Sequence, residues 1–221
     1  MDAHVAGRSA RRAYRRERRR AALRGLACAA AVAGAAATLV AGHLVAALAL
    51  AGAGAVALPR GDPGRWRRGA DGERATAARL QRLSRRRWVV HHDLAVPGSS
   101  ANIDHLVIGP TGVWVVDSKA YRGRVETSWR RVTVGGRPVD TGPAAWEAEV
   151  VSRRLGVDAR PLVVLHGDAL TRRGRRCAGV PVVPERSLPG HIRRGRRRLT
   201  GDQVEGLARR AAMLFPPAAG R

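Results

Sequence analysis

Between Ala101 and Arg124 the chain reads ANIDHLVIGPTGVWVVDSKAYRGR, and this stretch restricts the fold more than any other. Two apolar runs, Ile103 to Ile108 and Val113 to Val116, flank Gly109-Pro110-Thr111-Gly112, which predicts a β-hairpin with a four-residue loop. Symmetric pairing about that loop sets Ile108 against Val113, Leu106 against Val115 and Asp104 against Asp117. Opposed β-carbons then lie about 5 Å apart. Strand side chains alternate between faces, so Lys119 shares the face of both carboxylates. That face is apolar near the turn and carries Asp104, Asp117 and Lys119 at its far end. Two facing carboxylates resist joint ionisation unless a cation lies between them, so the arrangement invites a divalent metal.

Lys119 is the single lysine among 41 basic residues. Abundant Ala, Gly, Val and Arg point to a coding bias that puts Arg wherever Arg will serve. Arginine cannot deprotonate and presents a broad fork, whereas lysine is a compact charge on a flexible stem. A lone lysine two residues after an aspartate therefore reads as chosen for chemistry.

The pattern of Asp104, then Asp117-Ser118-Lys119 on the next strand, preceded by Gly69-Ala70-Asp71-Gly72-Glu73 at a helix start, resembles the nuclease-related domain (NERD) of the PD-(D/E)XK nuclease superfamily. The resemblance covers about Gly69 to Gly167. It implies an α/β (α+β) fold with a restriction-endonuclease-like α-β-β-β-α-β core, a central mixed sheet flanked by helices. It also implies hydrolysis of nucleic acid, here DNA, with Mg²⁺ or Mn²⁺. In this family likeness Asp104 and Asp117 are the metal ligands, with the backbone carbonyl of Ser118 as a third and Glu73 adding a ligand directly or through water. Lys119 orients or helps deprotonate the attacking water and stabilises charge on the phosphate. The third-strand acid, commonly Glu in the superfamily, is Asp117 here.

The net charge of +24 predicts attraction to polyanions, either nucleic acid or an anionic membrane face. Residues 1–20 form an Arg-dominated tail, and residues 21–58 hold one charged residue, Arg24. As one helix the latter would be roughly 57 Å long, against a membrane core about 30 Å thick. Broken at Gly42-His43 they make a transmembrane hairpin, and Arg-rich flanks on both sides place those flanks in the cytoplasm. A single tilted span, or an Ala-rich helix packed on the folded domain, are the alternatives. Residues 59–68 read as a linker, with Trp66 as an interfacial anchor. Two cysteines, Cys28 and Cys177, make no disulfide framework.

Further elements follow from periodicity. A helix is expected from Asp71, with Glu73 in its first turn, then a strand over Trp88 to Val96. After the hairpin come short strands at Gly123 to Glu126 and Arg131 to Val134, a helix over Pro143 to Leu155 ended by Gly156, and a strand over Pro161 to His166. Residues 168–221 are expected to be a basic extension: a loop at 170–178, a strand at Val180 to Pro184, and a helix from Thr200 to Phe215 with a Thr200/Gln203 capping box.

Structural roles compete with chemical ones. Asp117 and Lys119 could form a surface ion pair, Asp104 could cap a turn, and Glu73 could serve its helix dipole. His105 points away from Asp104 and is expected to be packed or paired, His91 and His92 could approach a substrate, Tyr121 is expected to be solvated, and Trp146 is expected in the core. The reading is a membrane-tethered, cytoplasm-facing, Mg²⁺-dependent nuclease. A catalytically inactive nucleic-acid-binding module and a scaffold binding anionic lipids are the rival classes.

Overall fold

The computed structural model describes residues 64–83, 85–128, 131–166 and 174–218, with scattered helical positions between 22 and 33. The expected membrane segment, the basic tail and the Trp66 side chain lie almost entirely outside them. Among the described residues no helix is long and apolar enough to cross a membrane.

The chain runs α1 (Gly64–Leu80), β1 (Val89–Ala95), β2 (Asn102–Gly109), β3 (Gly112–Lys119), β4 (Val125–Thr127), β5 (Val132–Val134), β6 (Arg137–Pro138), α2 (Gly142–Leu155), β7 (Ala159–Leu165), β8 (Arg175–Cys177), β9 (Val180–Pro184), α3 (Leu188–Arg193) and α4 (Gly201–Leu214). Six strands form one mixed sheet in the order β1-β2-β3-β7-β9-β8. The β1-β2-β3 and β8-β9 pairs are antiparallel, and β7 runs parallel to both β3 and β9. Strands β4, β5 and β6 make a separate small sheet. The architecture is mixed α+β, a central mixed sheet flanked by helices.

The hairpin register agrees with the sequence expectation: Ile108 opposes Val113 and Leu106 opposes Val115. Gly109 and Gly112 also pair, so the loop tightens to Pro110-Thr111. Leu106, Ile108, Val113 and Val115 face α2 and α4 in one core layer, with Ala148, Val151, Leu155, Ala208 and Phe215. Val107, Trp114 and Val116 face the other way, onto Leu80 of α1 and Leu188 and Ile192 around α3. Each layer keeps the period of two that the strands carry.

Four expectations are corrected. Helix α1 begins at Gly64, so residues 64–68 are helical where a linker was expected, and Glu73 sits in mid-helix. Close packing offsets the glycine cost: a β-carbon on Gly72 would meet His166 at 3.1 Å and Ala120 at 3.2 Å. Arg175–Cys177, expected in a loop, is the edge strand β8. The expected C-terminal extension is integral: β9 pairs β7, and Ala95 N donates to Pro216 O at 2.8 Å. Trp146 is 41% exposed, because its neighbour Glu147 takes the inward position of α2.

The capping box at Thr200/Gln203 forms, and Gly156 ends α2 at φ 69°. A tighter constraint falls on Gly109, where an added β-carbon would lie 2.0 Å from Trp88 Cε3. Gly109→Ala must displace a buried indole, at a cost of about 1–3 kcal/mol or more. The expected result is a thermal midpoint lowered by several degrees, read by circular dichroism.

Candidate active site

The site lies at the open end of the hairpin. Asp104 is the third residue of β2, and Asp117, Ser118 and Lys119 end β3, a central strand held between β2 and β7. One step beyond the last paired residues, the register sets Asp104 against Asp117. Asp104 Oδ2 accepts a hydrogen bond at 2.8 Å from the backbone N–H of Ser118, the residue next to Asp117. Lys119 Nζ stands 2.9 Å from Asp117 Oδ2, an oxygen that is charge-paired though it has no well-aligned hydrogen bond. Asp117 is 5% exposed and Lys119 half-buried, so the pair has one buried member and is not a surface one.

The electrostatics follow from burial. Removal from water lifts Asp104 well above the usual carboxylate range, and the charges of Glu73 and Asp117 lift it further. Burial also raises Asp117, more than Lys119 pulls it down. Burial opposes the charge on Lys119, but Asp117 and then Asp104 raise its pKa overall, so it stays a cation at neutral pH.

Glu73 is 9% exposed and acts electrostatically on Asp104. Its position mid-way along α1 removes the helix-dipole reading, because α1 has no acidic residue in its first turn. A residue that sequence reasoning missed joins the group. Glu147 of α2 is 6% exposed, and burial together with the charge of Asp117 pushes its pKa up to about 8. Two residues of sequence signal pointed to it: Trp146 and Glu147 compete for one inward helical position, and only packing decided between them. Four acids and one lysine therefore converge from two strands and two helices. Asp93 was also missed. It is 2% exposed and holds φ 53° within β1, a left-handed conformation unusual for a side chain other than glycine.

His91 pairs with Leu106 and is buried on that sheet face against Ala208 of α4, whereas His92 and His105 point to the opposite face. His92 Nδ1 and His105 Nδ1 are 2.8 Å apart, and His105 Nε2 is 3.3 Å from Ser118 Oγ. Ser118 Oγ donates to Thr76 Oγ1 at 2.9 Å, and Thr76 Oγ1 is 2.8 Å from His166 Nε2. His166 Nδ1 is 3.2 Å from Glu185 Oε2, whose other oxygen accepts from Arg79 Nε at 2.6 Å. This wire runs behind β3 and bolts α1, the helix of Glu73, to the strand of Asp117 and Lys119. Burial lowers His92 to about 4 and His105 well below its ordinary value, so both stay neutral, as a shared-proton contact between two imidazoles requires. Ser118→Ala leaves Thr76 and His105 short of a partner, and a loss of about 1–3 kcal/mol is expected in urea unfolding. Tyr121 packs against the cluster around Val132 and Val163 and is half-buried, where a solvated side chain was expected.

A divalent ion fits the donor chemistry in part. Burial and the charges of Glu73 and Asp117 hold Asp104 up, which a cation would reverse, and Mg²⁺ needs only one or two carboxylates with water completing its shell. Among the described residues, no group of three or more His, Cys, Asp or Glu side chains is set to hold a metal. The pair Asp104 and Asp117 is the available ligand set.

Fold and site together define a mixed α+β domain carrying a buried carboxylate–lysine centre at a sheet end. The model of NERD, the nuclease-related domain, matches residues 68–165. That segment is similar to the nuclease-related domain, which is the resemblance its motifs express. No curated protein and no solved structure matches the chain.

Proposed function

We propose that this protein is a metal-dependent nuclease that hydrolyses phosphodiester bonds of DNA, on a restriction-endonuclease-like core. The observation that carries the reading is the ion pair of Lys119 with a buried Asp117 that stands opposite Asp104 across the hairpin. Asp104 and Asp117 would hold Mg²⁺ or Mn²⁺, with the Ser118 carbonyl and Glu73 completing or supporting the ligand set. The bound ion would supply Lewis acidity and lower the pKa of a bound water. Lys119, held protonated by its acidic neighbours, places positive charge where the phosphate gains negative charge. The wire through Ser118 and Thr76 keeps β3 and α1 in fixed register while this happens.

Residues 21–58, apolar and flanked by arginines, are proposed to tether the domain to the cell membrane with its site in the cytoplasm. The tether would then lead into α1, which opens the domain at Gly64, and residues 174–218 complete that domain.

Plasmid and single-stranded DNA incubated with the protein test the activity. Cutting is expected with Mg²⁺ or Mn²⁺ and none with EDTA. The net charge of +24 also suits one rival, a binding module without turnover. DNA binding with no cutting under any metal would select that rival.

A further inference from the structure

A second place on the domain gathers charge without any acid. At the turn end of the hairpin, a recess of about 400 Å³ is lined by Arg82, Arg87, Arg193 and Arg197, with Trp88 and Thr111 among its other walls. The arginines come from the end of α1, the approach to β1, the end of α3 and the loop beyond it. No carboxylate lines the recess, and none of the four guanidiniums has an ion-pair partner among the described residues. The recess is remote from the candidate active site: Gly112 to Lys119 spans β3, about 23 Å at 3.3 Å per residue.

Packing holds the like charges together. Thr111 Oγ1 donates to Ile192 O at 2.8 Å and accepts from Trp114 Nε1 at 3.1 Å, which ties the turn to α3. Arg198 N donates to Pro110 O at 2.7 Å, fixing the loop after α3 over the same turn. Arg193 donates to the carbonyl of Arg82. Gly195 permits this approach, because a β-carbon there would lie 3.0 Å from Thr111 Cβ. Four exposed cations set around one concavity repel one another, and a bound polyanion relieves that repulsion.

We infer that this recess is a second anion site that grips the phosphodiester backbone of nucleic acid away from the reacting centre. The concave shape favours a phosphate strand over a membrane, which needs an outward-facing basic surface. The ligand's identity rests on the nucleic-acid reading above, whereas the site itself does not depend on turnover.

The experiment uses the whole chain in EDTA, so that binding is read without cleavage. Affinity for a 20-base-pair duplex is measured across salt for wild type, Arg87→Gln/Arg197→Gln, and the charge-matched control Arg209→Gln/Arg210→Gln on exposed positions of α4. The recess pair is expected to weaken binding about tenfold at low salt and to flatten the log–log salt slope by about two. The control should change affinity less than about twofold. Arg197→Glu, a single substitution at an exposed position, is expected to give a comparable loss and guards against a misfolded double variant. Equal effects of the recess and control pairs would overturn the inference, as would a wild type that binds no duplex. Loss of binding to phosphatidylserine vesicles with duplex affinity unchanged would also overturn it, assigning the recess to lipid. Metal-dependent cutting with recess variants that bind normally would remove this site and leave the nuclease standing.

Discussion

Lys119→Ala is expected to lower metal-dependent DNA cleavage by about 10²–10³-fold, the usual loss when one preorganised charge at a transition state is removed. The fold should survive. Asp117 is already raised by burial, so without its lysine it takes up a proton instead of remaining a bare buried charge. Lys119→Arg is the sharper companion. The sequence uses arginine for every other basic residue, yet the 2.9 Å contact lies between a compact ammonium and a 5%-exposed aspartate. A planar guanidinium carries its charge in a broader fork and does not reproduce that contact, so Arg should restore little activity. Single-turnover cleavage of a labelled duplex reads both variants. Wild-type rates in the alanine variant would remove Lys119 from the chemistry.

The second large effect joins pH, metal and stability through Glu147. Its folded pKa of about 8 stands above the ordinary 4.5, so the folded state binds the proton more tightly than the unfolded chain does. The stabilisation from that proton is complete below about pH 4.5 and is lost as pH rises through about 8. At roughly 1.4 kcal/mol per pKa unit, the loss is on the order of a few kcal/mol. Asp104 and Asp117 are raised too and act in the same direction. The buried histidines act oppositely. His105 is lowered, so its contribution is present above its ordinary value of 6.5 and disappears as pH falls. Comparing wild type with Glu147→Gln cancels the histidine contribution. In EDTA the two should unfold at similar urea concentrations at pH 5, whereas at pH 8.5 Glu147→Gln should be the more stable. Mg²⁺ or Mn²⁺ should stabilise wild type more at pH 8.5 than at pH 5, because the cation competes with protons for the acids. Parallel pH profiles for the two proteins would show that Glu147 does not titrate within this cluster.

Much of this could be read from local pattern. The hairpin register, the apolar face of Leu106, Ile108, Val113 and Val115, the α2 stop at Gly156 and the α4 capping box all rest on neighbours a few residues apart. A period of two fixes which strand residues share a face, and a cap needs only three residues of context. The placement of Asp104, Asp117 and Lys119 on one face followed from the same arithmetic.

The rest belonged to contacts between distant segments. The start of α1 depended on a close approach at Gly72 that no propensity records. Glu147, not Trp146, turned inward because α2 is oriented by the sheet beneath it. Ser118, Thr76, His166 and Glu185 became one wire, and four arginines became one recess, only when strands and helices closed on each other. The sequence by itself determined which residues lie side by side on each element, since backbone periodicity is local. Tertiary structure decided which of those faces meet, and so which acids lose water and which charges lack a partner, because burial is a property of the closed chain.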